Sequence, residues 1–123
     1  MDNPNVETLV IAWLGTLSEI DSDWPVSGDK PKSLPPQFII VDRTGGPREA
    51  MVLDRAEILV EVYCKDSRAT ASNMANYIAD QVQFLPAYAE SITHAAVNSL
   101  INLDDLVGEY SRYQLYLDVY NRR

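Results

Sequence analysis

Arg112-Tyr113-Gln114-Leu115-Tyr116-Leu117-Asp118-Val119-Tyr120 decides the fold. Tyr113, Leu115, Leu117 and Val119 hold one parity, and Arg112, Gln114, Tyr116, Asp118 and Tyr120 the other. Successive side chains leave a β-strand on opposite sides, so a period of two predicts a strand with one buried face. The stretch Arg55 to Cys64 repeats the pattern. Ala56, Ile58, Val60, Val62 and Cys64 alternate there with Arg55, Glu57, Leu59, Glu61 and Tyr63. Phe38 to Val41 is a shorter β-rich run, followed by the turn signal Thr44-Gly45-Gly46-Pro47, where glycine tolerates positive φ. These two runs should pair as an antiparallel hairpin with residues 42–54 as a long tip. A fourth strand is expected where Ala95, Val97, Ile101 and Leu103 share a parity. The turn signals Asp104-Asp105 and Gly108 separate it from the last strand.

Two stretches follow helical spacing instead. Asn3-Pro4 suits a helix start, and Val6, Leu9, Val10, Trp13, Leu14, Leu17 and Ile20 then form one apolar stripe. Asp21-Ser22-Asp23 should end that helix. Residues 21–36 contain Pro25, Pro31, Pro35 and Pro36 and read as a long loop, because proline removes a donor and fixes φ. Asp66-Ser67 offers caps for a second helix, whose stripe is Ala71, Met74, Ala75, Ile78, Val82 and Leu85 before Pro86 stops it. The expected fold is α+β in the order α-β-β-α-β-β: a four-stranded, mostly antiparallel sheet with both helices on one face. Residues 1–123 make a single domain by length.

Composition narrows the function. A net charge of −8 argues against a protein that grips nucleic acid, since such binding draws on clustered Lys and Arg. Cys64 is the sole cysteine, which excludes an internal disulfide and a cysteine metal cluster and points to a reducing cytoplasm. No apolar run approaches the roughly 18 residues of a membrane span, and Leu9 to Leu14 lacks the basic leader of a secretory signal. The lone His94 has no recognised nucleophile and carboxylate around it. Cys64 lies on a buried parity and reads as core. Neither Asp21-Ser22-Asp23 nor Asp104-Asp105 completes a calcium loop, and Gly45-Gly46 lacks the lysine of a phosphate loop. No catalytic, metal or cofactor site is therefore expected, and the chain does not read as an enzyme.

With both helices on one side, the other side of the sheet should stay uncovered. Arg55, Tyr63, Arg112, Tyr116 and Tyr120 point that way. Tyr and Arg are favoured in interfaces because each buries much area and keeps a polar end satisfied. Cross-strand pairing on a solvated face is the alternative; the number of tyrosines favours a subunit interface.

The order of these parts resembles a known family. A Pro-rich loop leads into Pro35-Pro36-Gln37-Phe38-Ile39-Ile40-Val41, and then come Gly45-Gly46 and Asp54 to Tyr63. An Ala-rich helix runs from Ser67 to Leu85, and a Tyr-rich strand, Arg112 to Tyr120, precedes Arg122-Arg123. Nearly the whole chain is similar to the tail terminator proteins of siphophages, the long-tailed bacteriophages, especially those of actinobacterial hosts. The resemblance implies a structural protein of the virion, assembled in the host cytoplasm and placed at the head-proximal end of the tail. It implies a homohexameric ring that caps the tail tube, ends its elongation and joins the tail to the head connector or stopper protein. DNA would pass through the lumen without specific binding, which suits an acidic wall. Trp24, Pro25, Gly45, Gly46 and Arg48 are the candidates for axial contacts to tube and connector. Another head–tail joining, stopper or minor tail protein, or a non-viral intracellular binding domain, remain the alternatives.

Overall fold

The computed structural model describes residues 5–33, 35–45, 53–65, 67–103 and 110–122. Helix α1 spans Val6–Leu14, β1 Val26–Ser27, β2 Gln37–Gly45, β3 Leu53–Cys64, α2 Arg68–Gln81, α3 Leu85–Tyr88, β4 Ile92–Asn102 and β5 Ser111–Arg122. The class is mixed α+β, as expected. The sheet has five strands rather than four, in the order β1-β2-β3-β5-β4. The added strand is β1, two residues inside the expected loop, which pair parallel to Ile39 and Ile40 of β2. Every other pairing is antiparallel. The β2–β3 hairpin forms, but its tip is shorter than 42–54, because Asp42 to Gly45 and Leu53 to Asp54 are strand.

Strands β3 and β5 pair without a bulge from Leu53↔Arg122 to Cys64↔Ser111. They form the spine of the sheet. Both main helices pack on one face of it. Val6, Val10, Trp13 and Leu14 of α1 and Ala71, Met74, Ala75 and Ile78 of α2 are buried. They share one core with Ile39, Val41, Ala56, Ile58, Val60, Val62, Leu115, Leu117 and Val119. Small residues at 71 and 75 let α2 lie close to the strands, and each residue buried here contributes on the order of 1–3 kcal/mol.

The helix ends differ from the expected ones. Asn5 caps α1, its Oδ1 accepting from Thr8 N at 3.3 Å; Asn3 and Pro4 lie outside the described residues. The helix stops at Leu14, not Ile20, and Gly15 is its C-cap. Ser67 caps α2 as expected, accepting from Thr70 N at 3.0 Å. Pro86 does not end the helical region. A 3-10 turn, Val82–Phe84, joins α2 to α3, and Pro86 sits in the first turn of α3, where its missing N–H costs nothing.

The parity of β4 also changes along its length. Its register with β5 shifts between Ile92 and His94 and again between Val97 and Ser99. A bulge adds one residue and reverses which side chains face inward. Ala95 is buried as expected, whereas Ile101 and Leu103 turn outward and are each 42% exposed.

The two sheet edges are unlike. Beyond β1, the backbone N–H of Arg43 in β2 donates to Glu7 Oε2 at 3.2 Å. Gly28 leaves room for that carboxylate, since a Cβ there would stand 3.1 Å from Glu7 Oε1. At the other edge β4 has no strand beyond it among the described residues. From Ser91 to Leu103 the sequence contains no Asp, Glu, Lys or Arg.

Candidate interaction surface

The helix-free face of the sheet is built in rows, because strand register aligns side chains of equal parity. Tyr63 and Arg112 form one row, Glu61 and Gln114 the next, then Leu59 and Tyr116, Glu57 and Asp118, and Arg55 and Tyr120. Strand β4 extends these rows with Ile101, Ser99, Ala96 and His94 opposite Gln114, Tyr116, Asp118 and Tyr120. The structure therefore brings all five expected residues, Arg55, Tyr63, Arg112, Tyr116 and Tyr120, onto one face. Arg55, Arg112, Tyr116 and Tyr120 are half-buried there.

Tyr63 differs from its neighbours. It is only 2% exposed, within a second small core with Phe38, Ile40 and Tyr110. Its ring stacks on Phe38 at 4.6 Å between centroids, and Tyr110 meets it edge-on at 6.1 Å. The segment after β1 brings Lys30 Nζ to 5.4 Å from the ring centre, and the Tyr110 hydroxyl donates to Pro35 O at 2.8 Å. The chain thus covers one end of this face itself, and Tyr63 has little surface left to offer a neighbour.

A polar network edges that aromatic cluster. Glu61 Oε2 accepts from the Tyr63 hydroxyl at 3.3 Å and from Gln114 Nε2 at 3.1 Å, and it lies 3.6 Å from Arg112 Nη1. Arg112 also donates through Nε to Leu103 O at 3.1 Å, which ties β5 to the end of β4. Burial pushes the Tyr63 phenol above its ordinary value of 10.0; the hydrogen bond from Arg112 opposes that, and the nearby Glu61 charge adds to it. Arg112 is thus held from three sides and acts as much in positioning as in contact.

The expected axial residues that are described, Trp24, Pro25 and Gly45, do not come together. Trp24 is 7% exposed and belongs to the helix-side core, so it does not protrude. Pro25 is exposed, and its carbonyl accepts from Ile39 N at 2.8 Å at the start of β2. Gly45 ends β2, about 20 Å along the strand from Ile39. Gly46 and Arg48 lie outside the described residues.

Chemistry is sparse. His94 is exposed, its ring 5.9 Å from that of Tyr120. Cys64 is buried in the main core, as expected of a packing cysteine. Among the described residues no group of three or more His, Cys, Asp or Glu side chains is placed to hold a metal. Among the described residues no helix is long and apolar enough to cross a membrane.

Glu57 and Asp118 were not singled out from sequence. They stand directly opposite each other on β3 and β5, half-buried on the helix-free face. Thr44 Oγ1 donates to Glu57 Oε1 at 2.8 Å, and neither carboxylate has an ion pair among the described residues. Their alternation was readable from sequence, but their juxtaposition depends on the β3–β5 register.

This geometry defines a class: a small α+β domain with two helices on one face of a five-stranded sheet and the other face, apart from its Tyr63 end, free of helices among the described residues. The same fold occurs in a chain of a solved structure described as the virion of a native gene transfer agent (GTA) particle. The two align with a TM-score of 0.64 and 12% identity, over 93% of this chain and 85% of that one. At such identity the likeness is one of fold. No protein-family model matches the chain, and no curated protein matches it in sequence.

Proposed function

We propose that this chain is a structural subunit of a phage-like virion, and specifically a tail terminator. The observation that carries the reading is the fold shared with a virion-particle chain over nearly the full length of both. The helix-free sheet face supports it, since a domain that keeps Tyr116 and Tyr120 half-buried there is suited to burying them against other proteins. The likeness to siphophage terminators in the order of sequence elements narrows the role to a ring, of six subunits in that family. The ring caps the tail tube, stops its elongation and presents a surface to the head connector or stopper protein. Pro25 and Gly45, at opposite ends of β2, would then meet partners on opposite sides of the ring. DNA passes through the lumen without being held, as an acidic wall favours.

The test is to mix the purified protein with tail tubes and image labelled complexes. A terminator binds one end of the tube and arrests its growth. Decoration along the tube wall, or binding only to head connectors, would remove the terminator role in favour of another joint or minor tail protein. Failure to bind any virion component would favour a non-viral binding domain.

A further inference from the structure

The helix-free face has a charge order that bears on how copies meet. Arg112 stands at one end and Arg55 at the other. Between them lie Glu61, then Asp42 on β2 opposite Leu59, then the Glu57–Asp118 pair. The face is therefore cationic, acidic, cationic along the strands. Two copies pressed together through it about a twofold axis at the middle of the band would set acid on acid. Like charges opposed across an interface cost several kcal/mol. An isologous contact centred there is disfavoured, so the band calls for a cationic patch of the partner copy that lies away from it.

The chain holds a surface of the opposite kind. All its lysines, Lys30, Lys32 and Lys65, gather at one corner and are exposed. Lys30 lies over the Tyr63 ring, and Lys32 is two residues further along the same segment. Lys65 follows β3 and is tied there by its backbone N–H to Pro36 O at 2.7 Å. On the sheet, Glu57 and Asp118 face each other with no ion pair among the described residues, an arrangement that destabilises an isolated domain by a few tenths of a kcal/mol or more. Local conflicts of this kind mark surfaces used for something other than folding.

We propose that the lysine corner of one copy seats on the Asp42, Glu57 and Asp118 band of the next. This rests on the ring reading and deepens it. Donor and acceptor lie at different places on the chain; engaged head to tail, the contact is heterologous, and its repetition closes a ring or extends a filament. Long lysine stems suit half-buried carboxylates, because they carry the charge inward while packing along apolar surface.

Reciprocal charge exchange tests it. One variant carries Lys30→Glu and Lys32→Glu, a second Glu57→Lys and Asp118→Lys, and a third all four changes. Self-association of the full chain is followed by sedimentation across concentration at low salt. Each reversal should weaken association about tenfold or more, and the combined variant should recover most of it. Net charge alone predicts otherwise: the second reversal makes the chain less acidic and would strengthen association. A milder pair, Glu57→Gln with Asp118→Asn, guards against misfolding, since it should raise the unfolding midpoint while weakening association. Failure of the combined variant to recover, or a wild-type chain that stays monomeric at all concentrations, overturns the contact. Tube-end binding would still decide the terminator role separately.

Discussion

Single residues on this protein are under unlike pressures on the two sides of the sheet. On the helix side, Ile58 and Leu117 are fully buried and face each other across β3 and β5. Truncating either to Ala should cost about 2–5 kcal/mol, read from urea unfolding. On the open side, Glu57→Gln alone should stabilise the monomer by about 0.5 kcal/mol by relieving its carboxylate neighbour. Tyr63 belongs to neither case. Its phenol is raised above 10.0, so the folded state holds that proton more tightly than the unfolded chain does. Its contribution is complete below pH 10 and is lost as the pH rises through the folded value. Unfolding midpoints of wild type and Tyr63→Phe, followed from pH 8 upward, should therefore fall more steeply for wild type above about pH 10.

At the scale of elements, strand β5 was legible because its alternation is unbroken and its partner β3 is equally long and regular. The two helices were legible for the same reason, and Ser67 announced α2 by its position. Ser67→Ala should cost about 1 kcal/mol by leaving the Thr70 N–H unpaired, measurable as a lower thermal midpoint. What escaped the sequence is non-local. Two residues between prolines carry no period, so β1 exists only because Ile39 and Ile40 lie beside it. The bulge between Val97 and Ser99 leaves no compositional mark, yet it reverses Ile101 and Leu103. Tyr63 looked outward by parity and does point away from the helices. Its cover comes from Phe38, Tyr110 and Lys30, up to 47 residues away in sequence, and parity says nothing about that. For the candidate surface, the residue types on the face were readable, whereas the acid pair and the lysine corner required the register.

For the molecule as a whole, one core joins both main helices to four of the five strands. Unfolding should be a single cooperative transition, with far-UV and near-UV signals coinciding in urea. A separate early loss of the near-UV signal would show that the aromatic cluster of Phe38, Tyr63 and Tyr110 melts independently of that core. The ratio of charges matters at this scale too. Copies at −8 each repel at a distance, and raising the salt screens that repulsion as well as any attraction between lysine corner and acid band. Association strongest at low salt would show that the local attraction outweighs the global repulsion.

The bare β4 edge has a practical corollary. Among the described residues β4 has no strand beyond it, and a margin of thirteen residues without Asp, Glu, Lys or Arg invites pairing by an extended chain nearby, with no gatekeeper to turn it away. Overproduced alone, the protein should lose solubility on storage by strand addition rather than by unfolding. A lysine at Ser99 or Ile101 should lengthen its shelf life while leaving its melting point nearly unchanged.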